Sequence, residues 1–355
     1  MMAKRRIAVA MSGGVDSSVA ALRLVHQGED IFGVMLRLWS AGPEHENRCC
    51  TPQDVSNARS IAARLDIPFY VLDVEDYFKS QVVEMFLDGY AQGLTPNPCI
   101  SCNRNVRWGW LRDRVITMGA THLATGHYAR VQADGDKHLL LRASDRSKDQ
   151  SYVLHVLNQE QLASAIFPIG DMLKEEVRAF AKENDLPVAD RADSQDLCFL
   201  GEMDYRKFLE QHDLRLLEPG PIIDANKAQI GTHSGLAAYT IGQRKGIGVA
   251  APEPYYVIEK DVAENALIVG HRRDLGRKTF KVGSIHWINA ESSPTKISVM
   301  VQVRYKSKPV QAQIEHDCDG IVFVQLSEPL VDVTPGQWAV FYDDEICIGG
   351  GMILP

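Results

Sequence analysis

Apolar residues fall in short clusters along the first half of the chain, separated by longer stretches with a helical period. Ile7-Ala8-Val9-Ala10, Ile31 to Leu38, Phe69 to Val74 and Thr121-His122-Leu123-Ala124-Thr125 read as buried strands, and helical patterns lie near 16–27, 52–65 and 103–118. Such alternation predicts an α/β domain to about residue 200, with a parallel sheet covered by helices on both faces. After Cys198 the texture changes. Turns at Glu218-Pro219-Gly220-Pro221 and from Gly231 to Gly248 predict a small mixed domain. Beyond about residue 273 short strands dominate: Phe280 to Ile285, Ile297 to Arg304, Val310 to Glu315, Gly320 to Leu326 and Gln337 to Tyr342. Their spacing is that of an antiparallel β-barrel or sandwich. The expected domains are 1–200, 201–272 and 273–355, with no internal repeat.

Composition sets few further limits. A chain of 355 residues with 45% hydrophobic and 24% charged content has room for two or three domains and no character of a disordered protein. No stretch approaches the roughly 20 apolar residues of a membrane span. The start, Met1 to Arg6, runs into a strand and not into a signal-peptide pattern. A cytoplasmic protein is expected. Net charge of -8 argues mildly against a nucleic-acid partner. Clusters at Arg104, Arg107, Arg112, Arg114 and at Arg272, Arg273, Arg277, Lys278 nevertheless leave open a basic face on an acidic body, against the plainer reading of solvated surface charge.

The first strand leads into Met11-Ser12-Gly13-Gly14-Val15-Asp16-Ser17-Ser18 and then at once into a helical pattern. Two glycines let the backbone approach an anion, while serine hydroxyls and the first helical N–H groups supply donors. The loop has neither the Lys of a Walker sequence nor the Gly spacing of a dinucleotide turn. It resembles the PP-loop of ATP pyrophosphatases, which cleave ATP between the α and β phosphates and adenylate a substrate oxygen. Asp16 reads both as a helix-start charge and as a ligand for the accompanying Mg2+.

The seven cysteines, at 49, 50, 99, 102, 198, 318 and 347, are odd in number and lack a secreted-domain spacing, so no structural disulfide framework is expected. Cys99 and Cys102 lie in the Pro-stiffened segment 95–103, just before the Arg-rich helix. Helix N-terminus and guanidinium groups together favour thiolate. No second Cys-x-x-Cys completes a zinc site. Cys198 follows the acidic run Asp193 to Asp196. In a PP-loop enzyme, distant cysteines fit a sulfur-handling couple, one bearing a persulfide and the other assisting its release. Cys318 and Cys347 sit in strand-like apolar surroundings and read as structural.

Five segments in this order, Ser-Gly-Gly-Val-Asp-Ser-Ser at 12–18, Thr-Pro-Asn-Pro-x-x-x-Cys-Asn at 95–103, Ala-Thr-Gly-His-Tyr-Ala at 124–129, Lys-Asp-Gln-Ser-Tyr at 148–152 and Ser-Gln-Asp-x-Cys-Phe at 194–199, resemble tRNA-specific 2-thiouridylase. The later pieces Tyr239 to Gly246, Val303-Arg304-Tyr305 and Pro335-Gly336-Gln337 extend the likeness over essentially the whole chain. The resemblance implies a PP-loop, Rossmann-like first domain and a sulfurtransferase that uses ATP and Mg2+. Its product would be 2-thiouridine at the wobble position, 34, of glutamate, glutamine and lysine tRNAs, formed by adenylation of the C2 oxygen and sulfur transfer from a cysteine persulfide.

Carried over by position, ATP contacts fall on Ala10, Met11, Ser12, Gly13, Gly14, Val15, Asp16 and Ser17, and on Leu36 and Gly126 beside the adenosine. The nucleophile falls on Cys102 and the persulfide on Cys198, the two ending as a disulfide. The target-base region falls on Asn97, Pro98 and Cys99, and tRNA contacts on His127, Lys148, Asp149, Gln150, Arg304, Tyr305 and Gln337. A cysteine desulfurase or a sulfur-relay protein is the implied donor. Some family members carry Asp where this chain has Cys99. Three thiols at 99, 102 and 198 leave open an iron–sulfur cluster in place of a persulfide relay.

Overall fold

The computed structural model describes residues 5–41, 47, 50–192, 197–201, 203–212, 217–289, 296–317 and 320–355. They divide into two compact units: residues 1–83, 99–202 and 345–348, and residues 84–98, 203–344 and 349–355.

The first unit contains β1 (Arg6–Ala10), β2 (Asp30–Arg37), β3 (Phe69–Asp73), β4 (His122–Thr125), β5 (Ala129–Asp134), β6 (Lys137–Arg142) and β7 (Ala165–Ile166). Five strands form a sheet in the order β3-β2-β1-β4-β7, all parallel. Strands without polar alternation need cover on both faces. On one face Ile7, Val9, Ile31, Met35 and Ala124 pack with Val15, Val19 and Leu22 of α1 (Val15–His26), Ala58 and Ile61 of α2 (Pro52–Arg64), and Val177 and Ala181 of the helix Lys174–Glu183. Ala8, Phe32, Val34 and Leu123 are buried on the other, where the helix Arg112–Thr117 packs on β4. Each fully buried Ile, Val or Phe contributes about 1.5–3 kcal/mol.

The expected Arg-rich helix at 103–118 begins earlier. It starts at Pro98, a residue whose fixed φ suits the first helical turn. It then runs through Pro98–Ser101, a wide π-helical stretch Cys102–Leu111, and Arg112–Thr117. Cys99 and Cys102 therefore stand on the helix itself. Of the arginines here, Arg112 fits neither a basic face nor solvated surface charge: it is buried, donating to Ser164 Oγ at 3.0 Å and pairing with Glu160 at 2.7 Å. Its charge is already paired within the protein.

In the second unit, β8 (Gly220–Ile223), β9 (Gln229–His233), β10 (Tyr256–Asp261) and β11 (Ala266–Gly270) make a mixed sheet, order β10-β11-β8-β9. Ile222, Tyr239, Val257, Leu267 and Val269 form its core. Six antiparallel strands follow, β12 (Arg277–Trp287), β13 (Lys296–Gln302), β14 (Val310–His316), β15 (Val322–Leu330), β16 (Trp338–Asp343) and β17 (Ile346–Ile353). Their order is β12-β15-β14-β13-β16-β17, and β17 pairs back with β12 to close a barrel. Closure leaves no unpaired edge among these strands, and the alternating burial of β14 matches a barrel wall with one inward face. Residues 345–348 belong to the first unit, where Ile346 and Cys347 pair with Leu141 and Leu140 of β6.

Gly170 lies between β7 and the helix Lys174–Glu183 in the first unit. A Cβ there would stand 1.7 Å from the Ala129 carbonyl oxygen. Backbone cannot yield by that much, so Gly170→Ala should cost at least about 1–3 kcal/mol, the usual penalty for overpacking. A urea titration checks it: the midpoint falls with unchanged slope, and an unchanged midpoint would show that this contact is relaxed in solution.

Candidate active site

Strand order reverses at β1, with β2 and β3 to one side and β4 and β7 to the other. In open parallel sheets the crevice beyond the carboxyl ends at such a reversal receives ligands. The two strands concerned end at Ala10 and Thr125, so residues 11–14 and 126–127 meet there. Gly13 has φ +72°, and a Cβ on it would lie 2.5 Å from the Asp54 carbonyl oxygen. The positive φ disfavours a side chain, and the backbone clash excludes one. Gly126 is equally constrained, since a Cβ would lie 2.7 Å from Ser17 N and 2.8 Å from the Asp16 carbonyl carbon. The exit of β4 thus lies directly on the first turn of α1.

Within the loop, Ser12 N donates to Ser17 Oγ at 3.1 Å, and the hydroxyls of Ser17 and Ser18 donate to the Gly14 carbonyl at 3.2 and 2.7 Å. Gly14 caps α1 without a side chain. The first N–H groups of the helix remain for an anion, where the helix dipole also favours one. Asp16, in that first turn, is held from two sides. Lys174 Nζ donates to its two oxygens at 2.7 and 2.9 Å, and Tyr128 Oη donates to Oδ1 at 2.7 Å. Lys174 is only 8% exposed and lies 5.7 Å from the centroid of the Tyr128 ring. An ammonium at that depth needs such a partner, because removing one member of a buried pair costs about 3–5 kcal/mol. Leu36 lies near the end of β2 and is partly buried.

His127 is buried, with Nδ1 2.7 Å from Thr125 Oγ1 and its ring edge-on to Phe167. Burial, helped by the nearby Arg107 charge, pushes its pKa down to about 3. It is therefore a neutral imidazole at any physiological pH. Lys148, Asp149 and Gln150 form the turn after β6. Asp149 accepts from Ala143 N, Ser151 N and Ser151 Oγ, and pairs with Arg142 at 3.2 Å. Gln150 brackets Tyr128, its Oε1 accepting from Tyr128 N and its N donating to the Tyr128 carbonyl. Lys148 is half-buried.

Cys99 is exposed and Cys102 buried, one turn apart on the helix, and Asn103 Nδ2 donates to the Cys99 carbonyl at 3.0 Å. Cys198 opens a single 3-10 turn, is partly buried, and is followed by Phe199, which packs edge-on against Phe78. Ser194, Gln195 and Asp196 of the motif lie outside the described residues, as do Cys49 and Cys318. Cys347 is buried in β17. Among the described residues no group of three His, Cys, Asp or Glu side chains is arranged to hold a metal. In the second unit Asn97 and Pro98 end the segment 84–98, and Arg304 donates to the Ile241 carbonyl and to Thr334 Oγ1. Tyr305 is 37% exposed beneath the Lys306 ammonium, and Gln337 Nε2 donates to the Thr95 carbonyl at 2.7 Å.

Models of three domain families match the chain consecutively: tRNA methyl transferase HUP domain over 5–202, tRNA methyl transferase PRC-barrel domain over 206–271, and Aminomethyltransferase beta-barrel domain over 277–353. Proteins named tRNA-specific 2-thiouridylase MnmA align along nearly their full lengths. That of Natranaerobius thermophilus is 42% identical over 100% of this chain and 98% of its own. The Chloroflexus aurantiacus protein is 44% identical over 98% of each, and the Acetivibrio thermocellus protein 40% identical over 99% of this chain and 100% of its own. The chain belongs to the tRNA-specific 2-thiouridylase family.

Four residues around the loop of this thiouridylase-family chain escape sequence reasoning: Lys174, Tyr128, Asp54 and Arg191. Tyr128 lies inside a recognisable motif, but nothing in its spacing reveals a bond to Asp16. Lys174 reads as an ordinary charge at a helix start, 158 positions from its partner. A groove of about 600 Å³ beside β3, bordered by Val71, Tyr77, Trp110 and Arg114, contains none of the candidate residues.

The neutral state of His127 has a measurable consequence in this thiouridylase fold. As pH falls below the ordinary imidazole value of 6.5, the unfolded chain takes up a proton that the folded chain refuses until about pH 3. Stability contributed at this residue is therefore present above 6.5 and declines on acidification. His127→Gln should lose less thermal stability than the wild type between about pH 7 and pH 5. Parallel melting-temperature curves for the two proteins would rule this out.

Proposed function

We propose that the chain catalyses ATP-dependent 2-thiolation of the wobble uridine, position 34, of tRNA, giving 2-thiouridine, AMP and pyrophosphate. The observation that supports it most is the uncapped start of α1 at the strand-order reversal, with Asp16 held by Lys174 and Tyr128 beside it. Its first N–H groups and the Ser12 hydroxyl receive phosphate oxygens, while Ser17, bonded to Ser12 N and the Gly14 carbonyl, holds the loop in shape. The Leu36 backbone and the Gly126 backbone, which lies against the first turn of α1, face the adenosine. A uridine turned out of an anticodon loop exposes its C2 carbonyl oxygen at low unstacking cost. That oxygen attacks the α phosphorus, pyrophosphate departs, and C2 becomes a carbon with AMP as leaving group.

Sulfur reaches C2 from Cys198, whose persulfide terminal sulfur attacks as AMP leaves. Cys102 thiolate then attacks the Cys198 sulfur, the sulfur–sulfur bond to uridine breaks, and its electron pair stays on the new thiocarbonyl. The cysteines end as a disulfide; in the other order, Cys102 first liberates sulfide. The loop, Cys102 and Cys198 all belong to the first unit.

Magnesium fits this site as a companion of the nucleotide. Asp16 keeps one carboxylate lone pair beyond those engaged by Lys174 and Tyr128. Mg2+ commonly takes one or two carboxylates plus substrate phosphates. When bound it would neutralise charge on the phosphates. The residues His127, Lys148, Asp149, Gln150, Arg304, Tyr305 and Gln337 serve tRNA, with glutamate, glutamine and lysine isoacceptors as substrates. Since His127 and Asp149 are occupied internally, their part is to hold the surrounding backbone. A cysteine desulfurase or a relay protein supplies sulfur, and the setting is the cytoplasm. Among the described residues no helix is long and apolar enough to cross a membrane.

Cys102→Ser and Cys198→Ser should each abolish 2-thiouridine while leaving ATP binding intact. Mass spectrometry of digested tRNA decides it, and normal product from either variant removes that cysteine from the chemistry. Asp16→Ala and Lys174→Met should each slow tRNA-dependent pyrophosphate release by about a hundredfold, the scale of losing one preorganised charge contact at a reacting centre. Wild-type release rates in a coupled pyrophosphate assay would contradict the assigned role of the pair.

A further inference from the structure

Beneath the loop lies a second ion pair that the reaction as described leaves unused. Asp54, in the first turn of α2, has a side chain only 1% exposed. Its Oδ2 accepts from Thr51 N at 3.0 Å and Thr51 Oγ1 at 2.8 Å, and its Oδ1 is paired with Arg191. The same Nη1 of Arg191 donates to the Gly13 carbonyl at 3.0 Å. Arg191 comes from the turn that follows Val188, far along the chain from both partners. A buried carboxylate thus anchors a guanidinium, and the guanidinium anchors one peptide of the loop.

We infer that Arg191 is a positioning residue for phosphate, acting through the Gly13–Gly14 peptide. The described backbone has no cis peptide bonds. In a trans peptide the C=O and the following N–H point in opposite directions. Drawing the Gly13 carbonyl down onto Arg191 therefore turns the Gly14 N–H to the opposite side, where the start of α1 opens. Gly13 has no Cβ and φ +72°, so its own sterics do not choose among the orientations of this peptide. Arg191 selects one of them before the nucleotide arrives. It touches no reacting atom, and its effect should fall on the phosphates and not on the base or sugar.

The inference rests on the loop being the ATP site, and the test separates the two. Affinities of ATP and of adenosine are measured by calorimetry for the wild type, Arg191→Ala and Arg191→Lys. Loss of one charge-assisted, orienting hydrogen bond should weaken ATP about tenfold to a hundredfold in Arg191→Ala, with adenosine unchanged within about twofold on the same reasoning. Arg191→Lys, which can restore one cationic donor, should recover part of the loss. Unchanged ATP affinity in Arg191→Ala would overturn the inference, and so would an equal loss for ATP and adenosine, which is the mark of general loosening. Should Arg191→Ala fail to fold, Arg191→Gln against Arg191→Lys carries the same comparison. A wild-type protein that binds no ATP overturns the loop reading itself, and this inference with it.

Discussion

Parallel pairing of β1 with both β2 and β4 is the constraint from which the site follows. Register places Ala10 beside Val34 on one side and Thr125 on the other, so the chain leaves β1 and β4 at one level and in one direction. Two segments more than a hundred residues apart must then share a narrow space above the sheet. They do so by bringing backbone against backbone, which is why Gly126 rests on Ser17; Gly13 meets the Asp54 backbone of α2 as closely. Any side chain at either glycine would separate surfaces that the strand pairing holds together, and packing at interior density has no slack for that.

Around this contact the charges are paired within the protein. Lys174 meets Asp16 and Arg191 meets Asp54, two cations against two carboxylates. Net charge at the loop is near balance, and the chain as a whole carries -8. A polyphosphate would therefore be attracted by oriented N–H groups and the helix start more than by surplus positive charge. This is the electrostatic reason the proposed chemistry calls for magnesium as a further counter-charge. It also explains how an acidic protein can be assigned to RNA without contradiction: composition reports a sum, whereas recognition depends on which charges are already spent. Arg112, turned inward to Glu160, is one that is spent.

The cysteines illustrate how small shifts in local structure redistribute chemical roles. Because the helix starts at Pro98, Cys99 and Cys102 stand on it at helical spacing, and the turn of the helix exposes one while burying the other. The widened π geometry begins at Cys102. Such stretches are rare and recur at functional sites. Burial of Cys102 restricts its reaction partners to what is brought to it.

Much of this was legible in the order of residues. Runs of unalternating apolar residues demanded buried strands, helical periods between them demanded a parallel sheet, and Ser12 to Ser18 at the first strand–helix junction marked an anion loop, because strand period, glycine freedom and helix starts are local properties. The barrel strands were visible for the same reason. What only the tertiary structure decided were the partners of Asp16 and Asp54, the inward turn of Arg112, the earlier helix start at Pro98, and the neutrality of His127. Lys174, Tyr128 and Arg191 reach the loop from distant positions, so no spacing along the chain announces them. Pairing of charges and desolvation depend on distance in space, and that distance exists only once the sheet has brought the ends of β1 and β4 together.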